Sequence, residues 1–411
     1  MAIDGVELDC LQGIKVVDFT QFEAGPSCTE SLAWLGAEVV KIENPRTGDP
    51  GRRLAGPGAP DKDPWYFHQF NANKKSLTLN LKSPRGLEIV KQLLAKADVT
   101  IENMAPGTIE RLGLGYDEVK KINPGIIYCQ VKGFGTGSPY EKSLAFDMIA
   151  QAAGGTFSVT GESDRPPTKP GPSFGDTGTG MLMAISILGA LFKRQQTGQG
   201  RRLQVAMQDA MIHYMRVPFS RTQLTGKAPP RGGSAASQPG GLVPSALYPC
   251  KPGGPNDYVY IFCSRANPEH WQRLLRVMGR EDLSGDARFD TQDARSKHAA
   301  ETDELIAAWT REHTKEEAMT MIGAAGVPAG AVFDTVELMA EPSLAERGIM
   351  QTIDHPTTGK VKMPAWPVRF DGTPPKVKPS PLLGQHNADV LSGWLGMSEQ
   401  EVTALKSEGI I

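Results

Sequence analysis

The sequence predicts an α/β protein built from a large domain with a parallel sheet and a second, smaller α/β domain. Short β-branched runs alternate with helical patterns through the first half of the chain, which is typical of βαβ units. A stretch rich in Gly, Pro, Ser and Ala interrupts this alternation at residues 227–241, and a new α/β pattern follows it. At 411 residues the chain also exceeds what one compact core usually holds.

The strands and helices predicted for the first half alternate along the chain. The strands are predicted at residues 14–19, 39–42, 76–81, 99–102 and 126–132, and the helices at 26–35, 85–97 and 176–198. Ser83 and Pro84 support the second helix, because a capping residue followed by proline is typical of a helix start. Right-handed crossovers would place the strands in one twisted parallel sheet with helices on both faces.

The second half predicts a smaller α/β unit at about residues 228–330. Its strand is expected at residues 258–263, and its helices at 268–278, 301–312 and 315–325. Beyond this unit, residues 349–354 and 360–363 predict a hairpin. A proline-rich, extended segment follows at residues 374–381.

Composition and charge describe a soluble globular protein. Apolar residues make up 39%, charged residues 22%, and the net charge is −2, so no electrostatic field points to nucleic acid. The apolar run Gly180–Phe192 is shorter than the roughly 20 residues that span a bilayer, and the acidic N-terminus does not resemble a secretory signal. Five widely spaced cysteines without a C-x-x-C pair, and scattered histidines, favour a reducing compartment without a metal site. We therefore expect a cytoplasmic protein with neither nucleic acid nor a membrane as a partner.

One carboxylate stands out: Asp176, in the glycine-rich segment GDTGTG at residues 175–180, just before the long apolar run. The unpaired N–H groups at a helix start favour an ionised carboxylate and can lower its pKa. The flanking glycines carry no side-chain bulk, so a large ligand could approach, and Asp176 is a candidate covalent nucleophile. Aspartate is also a preferred capping residue, so an ordinary helix N-cap remains open.

A second glycine-rich segment, GFGTG at residues 133–137, follows the fifth predicted strand. It lacks the G-x-G-x-x-G spacing, which disfavours a nicotinamide enzyme and leaves a loop for another ligand. Lys82, Arg111 and Lys132 lie near predicted strand or helix ends, where cations can meet phosphates. No G-x-S-x-G segment occurs, which disfavours serine catalysis as well.

Short segments in a fixed order along nearly the whole chain indicate a family. They are LQGIKVVDFT at 11–20, AGP at 24–26, LGAEVVKIE at 35–43, NANKKSLTLNLK at 71–82, IEN at 101–103, RLGLGYDEV at 111–119, VKGFG at 131–135, GDTGTG at 175–180, VAMQDA at 205–210 and PLLGQH at 381–386. Together they resemble class III CoA-transferases of the formyl-CoA:oxalate, carnitine and succinyl-CoA:dicarboxylate type.

The resemblance implies that Asp176 is the nucleophile of a CoA transfer. Its carboxylate would attack the thioester carbonyl of an acyl-CoA, giving an aspartyl mixed anhydride and then an aspartyl-CoA thioester. The N–H groups around Gly175 and Gly178 could stabilise the oxyanions. No tightly bound cofactor is implied, because coenzyme A enters as a substrate. The CoA-contacting positions that the resemblance implies are Ala24, Leu79, Lys82, Asn103, Met104, Arg111, Lys132 and Gly133.

The resemblance also implies a Rossmann-like large domain and an interlocked homodimer. The large domain would comprise residues 1–206 and be completed by about residues 391–411. A linker at 207–227 would lead to the small domain at 228–330, and an extended linker at 331–390 would return the chain to the large domain.

Three departures from the family pattern bear on the substrate. Glu23 stands where the formyl-CoA enzymes have a glutamine, and an ionised carboxylate there would repel a carboxylate substrate unless it is protonated or paired. Phe134 stands in place of a tyrosine next to the substrate. The tetraglycine flap of the oxalate enzymes is replaced by a segment with fewer glycines. We therefore expect larger dicarboxylates, with succinyl-CoA as a candidate donor. The flap glycines are Gly232, Gly233, Gly240 and Gly241.

Two other functions remain open. The 2-methylacyl-CoA racemases share the implied fold and keep the aspartate, but they need a histidine as second base, and Phe146 occupies that position here. A catalytically silent acyl-CoA-binding protein is the third possibility, which the presence of Asp176 argues against.

Overall fold

A computed structural model describes residues 5–54, 63–234 and 242–411 of the chain. The chain divides into two compact units. Unit 1 comprises Met1–Thr156, Gly171–Arg216 and Glu341–Ile411, and unit 2 comprises Phe157–Pro170 and Val217–Ala340. The chain thus leaves unit 1 twice and returns to it each time.

The centre of unit 1 is a six-stranded parallel sheet, which confirms the predicted α/β class. Its strands are β1 (Lys15–Asp18), β2 (Glu38–Glu43), β3 (Lys75–Thr78), β4 (Val99–Glu102), β5 (Ile127–Lys132) and β6 (Arg201–Ala206). They are hydrogen-bonded in the order β3-β2-β1-β4-β5-β6, and every neighbouring pair is parallel. This is the order of doubly wound folds, in which the direction of winding reverses between β1 and β4.

The α-helices of both units are numbered along the chain. They are α1 (Ala24–Trp34), α2 (Trp65–Asn71), α3 (Pro84–Lys96), α4 (Thr108–Arg111), α5 (Tyr116–Ile122), α6 (Asp147–Ala153), α7 (Thr179–Thr197), α8 (Met207–Tyr214), α9 (Arg216–Thr225), α10 (Glu269–Val277), α11 (Gln292–Lys297), α12 (Ala299–Thr310), α13 (Lys315–Ala324), α14 (Thr335–Ala340), α15 (Pro342–Glu346), α16 (Asn387–Leu395) and α17 (Glu399–Ser407).

Helices cover both faces of the parallel sheet because its strands are apolar on both sides. Val16 belongs to the apolar cluster that includes side chains of α1 and α7, whereas its neighbour Val17 belongs to the cluster that includes α3 and α16. Successive strand residues point to opposite faces, so this split is the expected one for a sheet buried on both sides. The C-terminal helix α16 therefore completes the core of unit 1.

Unit 2 contains a three-stranded antiparallel sheet with its own core. Its strands are β7 (Ser245–Pro249), β8 (Tyr258–Phe262) and β9 (Ala329–Ala331), in the order β7-β8-β9. The buried core around Trp271 draws on α10, α12 and α13. A separate antiparallel hairpin of unit 1, formed by β10 (Met350–His355) and β11 (Gly359–Pro364), lies at the predicted position.

The segment between residues 207 and 225 is helical, where the sequence led us to expect a linker. Helices α8 and α9 occupy most of it, and α9 carries no buried residue. The last strand of the sheet, β6, was not predicted either. Its first two residues, Arg201 and Arg202, are exposed because β6 forms the edge of the sheet, so its sequence lacks an apolar run.

The helix that contains Asp176 is longer than the apolar run suggested. A π-helical turn, Phe174–Gly178, continues directly into α7. The combined segment Phe174–Thr197 is long and apolar enough to cross a membrane by length and composition, and half of its most apolar window is buried. Met183, Ile187 and Leu191 pack in the sheet core, as in the core helix of a globular protein.

Candidate active site

A cavity of about 260 Å³ opens at the carboxyl ends of the central strands of unit 1. It lies where β1, β4 and β5 end, next to the reversal of the strand order, which is where open α/β sheets bind ligands. Its walls come from the loops after these strands, the start of α6, the π-helical turn and Met207. The lining residues are Gln21, Phe22, Glu23, Ala24, Asn103, Met104, Ala105, Pro106, Val131, Lys132, Gly133, Ser143, Leu144, Ala145, Phe146, Asp176 and Met207.

Asp176 lies in the wall of this cavity, within the first turn of its helix and not at the cap. The cap position before the helix is Ser173, and Asp176 is the third residue of the turn. The N-cap interpretation of Asp176 is therefore wrong. Asp176 is partly exposed and lines the cavity, so a ligand in the cavity can reach it.

The glycines around Asp176 allow close packing of the protein against itself. A Cβ atom at Gly175 would lie 2.6 Å from the Asp147 carbonyl oxygen, and one at Gly178 would lie 2.9 Å from the Tyr214 ring. A Cβ at Gly180 would lie 2.6 Å from the Ala24 carbonyl oxygen of α1. The space beside these three glycines is therefore filled by atoms of the protein itself, and not left open for the ligand that the sequence led us to expect there.

Asp147 holds the turn that carries Asp176. Its Oδ1 accepts hydrogen bonds from the backbone N–H of Gly175 at 2.9 Å and of Asp176 at 3.3 Å. Its Oδ2 accepts a hydrogen bond from the Gln151 amide at 2.8 Å. The N–H of Thr177 is bonded to the Ser173 carbonyl at 2.9 Å. The N–H groups of Gly175, Asp176 and Thr177 are thus already hydrogen-bonded within the protein.

Glu23 is the second carboxyl group of the cavity. It precedes α1, its side chain is buried, and the Thr177 hydroxyl donates a hydrogen bond to its Oε1 at 2.7 Å. Burial raises the pKa of Glu23, and the nearby Asp147 adds to that rise against the opposing hydrogen bonds from Thr177 and Ser173. The protonated form of Glu23 is therefore more favoured at a given pH than the protonated form of a glutamate on the protein surface.

The pKa of Asp176 is raised to about 7, chiefly by burial and further by the carboxyl groups of Glu23 and Asp147. This is the opposite of the lowering that the helix start suggested. Desolvation and two like charges outweigh the helix dipole, whose effect is typically below about 1 kcal/mol at an exposed site. Asp176 consequently changes its charge near neutral pH, as is typical of groups at functional sites.

The loops after β1 and β4 are fixed to each other. The Asn103 side chain accepts a hydrogen bond from the Gln21 N–H and donates one to the Gln21 carbonyl, both at 2.8 Å. Lys132 at the end of β5 forms a 2.7 Å ion pair with the buried Glu102 and donates to the Met104 carbonyl at 2.8 Å. Lys132 therefore stabilises the cavity wall, and its charge is already neutralised.

The remaining predicted residues lie at other places. Leu79 is buried in the sheet core, while Lys82 and Arg111 are exposed outside the cavity lining. Phe134 is buried against the Tyr140 ring, with 5.7 Å between ring centroids, and does not line the cavity. Of the expected flap, Gly232 and Gly233 belong to unit 2, and Gly240 and Gly241 lie outside the described residues.

Three residues of the site carry no clear signal in the sequence. Phe22 has a φ angle of 63°, a backbone conformation that residue type alone does not predict for phenylalanine. Asp147 looks like any acidic residue in a first helical turn. Tyr66 on α2 lies within the field of Glu23 and Asp176, and burial together with these carboxyls raises its pKa, so that its hydroxyl keeps the proton. Within the described residues, no cluster of His, Cys, Asp or Glu is placed to hold a metal ion.

A parallel sheet with a cavity at the reversal of its strand order, lined by the carboxyl groups of Glu23 and Asp176, defines an α/β protein with a candidate ligand site. The family model of CoA-transferase family III matches residues 11–387. The chain belongs to this family, and it is a CoA-transferase.

Relatives of known name match nearly the full chain. The formyl-CoA:oxalate CoA-transferase of Streptomyces avermitilis is 40% identical over 98% of this chain and 99% of its own length. The enzyme of the same name from Escherichia coli O157:H7 is 36% identical over the same shares of the two chains.

Solved structures agree with the fold. A CaiB/BaiF family protein from Brucella suis superimposes with a TM-score of 0.82 at 33% identity, covering 93% of this chain and 99% of its own. A hypothetical protein from Mycobacterium tuberculosis gives a TM-score of 0.77 at 28% identity, covering 94% and 99% of the two chains.

Proposed function

We propose that this CoA-transferase moves CoA from an acyl-CoA to a carboxylic acid through covalent intermediates on Asp176. The observation that carries this proposal is the position of Asp176: a carboxyl group with a pKa of about 7, in the wall of a cavity at the strand reversal. At neutral pH a substantial fraction of such a group is ionised and able to attack.

In this proposal the transfer proceeds in four steps. The Asp176 carboxylate attacks the thioester carbonyl, the C–S bond breaks, and a mixed anhydride and CoA thiolate result. The thiolate attacks the Asp176 acyl carbon, which releases the donor acid and leaves an aspartyl-CoA thioester. The acceptor carboxylate then attacks this thioester and expels the thiolate, which gives a new mixed anhydride. The thiolate finally attacks the acceptor's acyl carbon in this anhydride, which forms the acceptor's CoA ester with the Asp176 carboxylate as the leaving group. Asp176 is regenerated, and the energy of the thioester is retained throughout.

The coenzyme is proposed to enter along the loops after β4 and β5. Asn103, Met104, Lys132 and Gly133 meet in the cavity wall there. Lys82 and Arg111 are exposed cations of the same unit and are proposed to bind the CoA phosphates from outside the cavity. Ala24 and Leu79 would support this site by packing, because both are buried.

We also propose that the enzyme works as a cytoplasmic homodimer. Ile185 and Phe192 on α7 are 66% and 67% exposed in the single chain, and their spacing along the helix places both on one face. A second copy would cover them. Sedimentation should show a dimer, and Ile185→Glu should shift it towards monomer, whereas a wild-type monomer at micromolar concentration would contradict this part.

The Asp176→Ala variant tests the proposed chemistry. We expect at least about a thousandfold loss of CoA transfer, as for the removal of other covalent nucleophiles, with an unchanged circular dichroism spectrum and unfolding midpoint at acid pH. Succinyl-CoA and formyl-CoA serve as donors to a panel of acids, and new CoA esters are detected by mass spectrometry. Intact-protein mass should show a CoA adduct, and hydroxylamine should release this CoA and leave an aspartyl hydroxamate at residue 176, in the wild type alone. Full transfer by the variant would refute the role of Asp176.

The racemase alternative has a separate test. Phe146 lies in the wall of the same cavity as Asp176, and a phenyl ring cannot move a proton. We therefore expect no exchange of the α-proton of a 2-methylacyl-CoA with deuterium. Exchange at a rate comparable to CoA transfer would favour the isomerase.

A further inference from the structure

Two aromatic rings form an apolar wall close to the reactive carboxyl. Phe22 and Phe146 pack edge to face, with centroids 5.7 Å apart and an angle of 88° between the ring planes. Both line the cavity that contains Asp176, and Leu144 extends the same wall. Such rings offer a large contact area to an apolar group but neither a hydrogen-bond donor nor a positive charge to a carboxylate.

The backbone holds Phe22 in this position at a cost. A φ angle of 63° is unfavourable for a bulky side chain, and such conformations persist where the surroundings determine them. The Phe22 N–H donates to Asp49 Oδ1 at 3.2 Å, and the preceding Gln21 is bonded to Asn103 through both of its backbone groups. These hydrogen bonds fix the loop after β1 in the conformation that places the Phe22 ring in the cavity wall.

The charges around the cavity disfavour a substrate with a second carboxylate. Glu23 and Asp176 are acidic, and Lys132 is the one cationic side chain among the lining residues. Its ammonium group is neutralised by Glu102 at 2.7 Å and bonded to the Met104 carbonyl at 2.8 Å. A second carboxylate of the substrate would thus be desolvated beside two acidic groups, and the described lining residues hold no unpaired cation to neutralise it.

We propose that the acid whose CoA ester this enzyme makes or consumes is a monocarboxylic acid with an apolar alkyl or aryl chain, which packs against Phe22 and Phe146. The inference rests on the proposed function and adds its substrate class. It replaces the dicarboxylate expected from the sequence, and it differs from the oxalate in the names of the relatives. The carboxylate of the acid attacks the Asp176 acyl carbon when the acid is the acceptor, and leaves from it when the acid is the donor. In both cases its chain packs against the apolar wall.

Identity exchange tests the substrate class whichever donor the enzyme uses. Each CoA ester is incubated with its own isotopically labelled acid, and incorporation of label into the ester is measured for butyrate, 3-phenylpropionate, succinate and oxalate. Butyrate and succinate have the same number of carbon atoms, so their difference isolates the second carboxylate. We expect kcat/KM for butyryl or 3-phenylpropionyl exchange to exceed that for succinyl exchange by more than about tenfold, which corresponds to about 1.4 kcal/mol.

Substitutions at Phe146 connect this selectivity to the wall. Its side chain is 53% exposed, so substitution should leave the fold intact. Phe146→Leu should keep the preference for the apolar acid, whereas Phe146→Arg should raise succinyl relative to butyryl exchange by about tenfold, because it supplies the missing counterion. Val368→Ala, an exposed apolar position of unit 1 outside the cavity lining, should leave the ratio unchanged.

The outcomes separate this inference from the proposed function. A wild-type preference for succinate or oxalate, with activity lost in Asp176→Ala, would overturn the substrate class and leave the chemistry standing. An unchanged ratio in Phe146→Arg would overturn the role of the wall. Absence of exchange with every acid, including oxalate, would overturn the proposed function and this inference together.

Discussion

Two groups of buried carboxyls in unit 1 differ in whether cations neutralise them. In the first group Lys41 lies 2.7 Å from Asp49, and Arg52 lies 2.7 Å from Glu43. Lys74 likewise lies 3.3 Å from the buried Asp18. The second group consists of Glu23, Asp147 and Asp176. Glu23 accepts a hydrogen bond from a hydroxyl group, and Asp147 accepts bonds from an amide and from backbone N–H groups.

The pKa values follow this difference. Although burial opposes it, Lys74 and Lys41 hold the pKa of Asp18 below its usual value. Around Asp176 no such cation acts, so burial and the neighbouring carboxyls raise its pKa to about 7. Burial is common to both groups. The cations beside Asp18 and Glu43 therefore keep these carboxyls ionised, whereas Asp176 has no such cation and changes its charge near neutral pH.

Removal of a counterion from the first group should give the largest effect on stability. Lys74→Met leaves the fully buried Asp18 without its ammonium partner, and breaking a buried ion pair typically costs about 3–5 kcal/mol. Lys75→Met is the matched control, because that lysine is a third exposed in its pairs with Glu38 and Asp389 and should cost less than about 1 kcal/mol. Urea unfolding measures both, and equal losses would contradict the comparison.

A substitution in the second group, at Asp176, should raise the free energy of unfolding at neutral to alkaline pH instead of lowering it. The pKa of Asp176 is raised in the folded state, so its contribution to stability is present at acid pH and is lost as pH rises through about 7. Asp176→Asn removes this pH-dependent loss of stability, because the amide of asparagine does not ionise. The variant should be more stable than the wild type at about pH 8, by roughly 3 kcal/mol more than at about pH 4.5, at one pKa unit per 1.36 kcal/mol. Urea unfolding at the two pH values measures this, and a gain independent of pH would contradict the raised pKa.

The sequence predicted the framework of this site better than its electrostatics. The strands that end at the cavity were visible as apolar runs, because a parallel strand buried on both faces needs them. Strand β6 lacks such an apolar run, because it lies at the edge of the sheet and its first half is exposed and polar, so the sequence did not predict it. The family motifs located Asp176, but the sign of its pKa shift depends on Glu23 and Asp147, which only the fold brings together.

Backbone conformation explains the rest of what the sequence did not reveal. The position of the Phe22 ring depends on a φ angle of 63° that Asp49 and Asn103 enforce from other loops. Lys132 looked like a phosphate ligand from its place at a strand end, whereas the structure pairs it with Glu102. Both features arise from contacts between residues far apart in the sequence, which local patterns do not encode.

The smallest expected effect concerns the coupling between Glu23 and Asp176. Because Asp176 attacks as a carboxylate, kcat/KM should fall as pH drops through about 7. Glu23→Gln removes a like charge and should move this limb to lower pH. The shift should be less than about one unit, because burial, the largest cause of the raised pKa, remains. The pH profile of CoA exchange measures it, with Glu141→Gln, an exposed carboxyl outside the cavity lining, as the control. A shift to higher pH would mean that Glu23 favours the ionised form of Asp176, and it would contradict the repulsion between these two carboxyl groups.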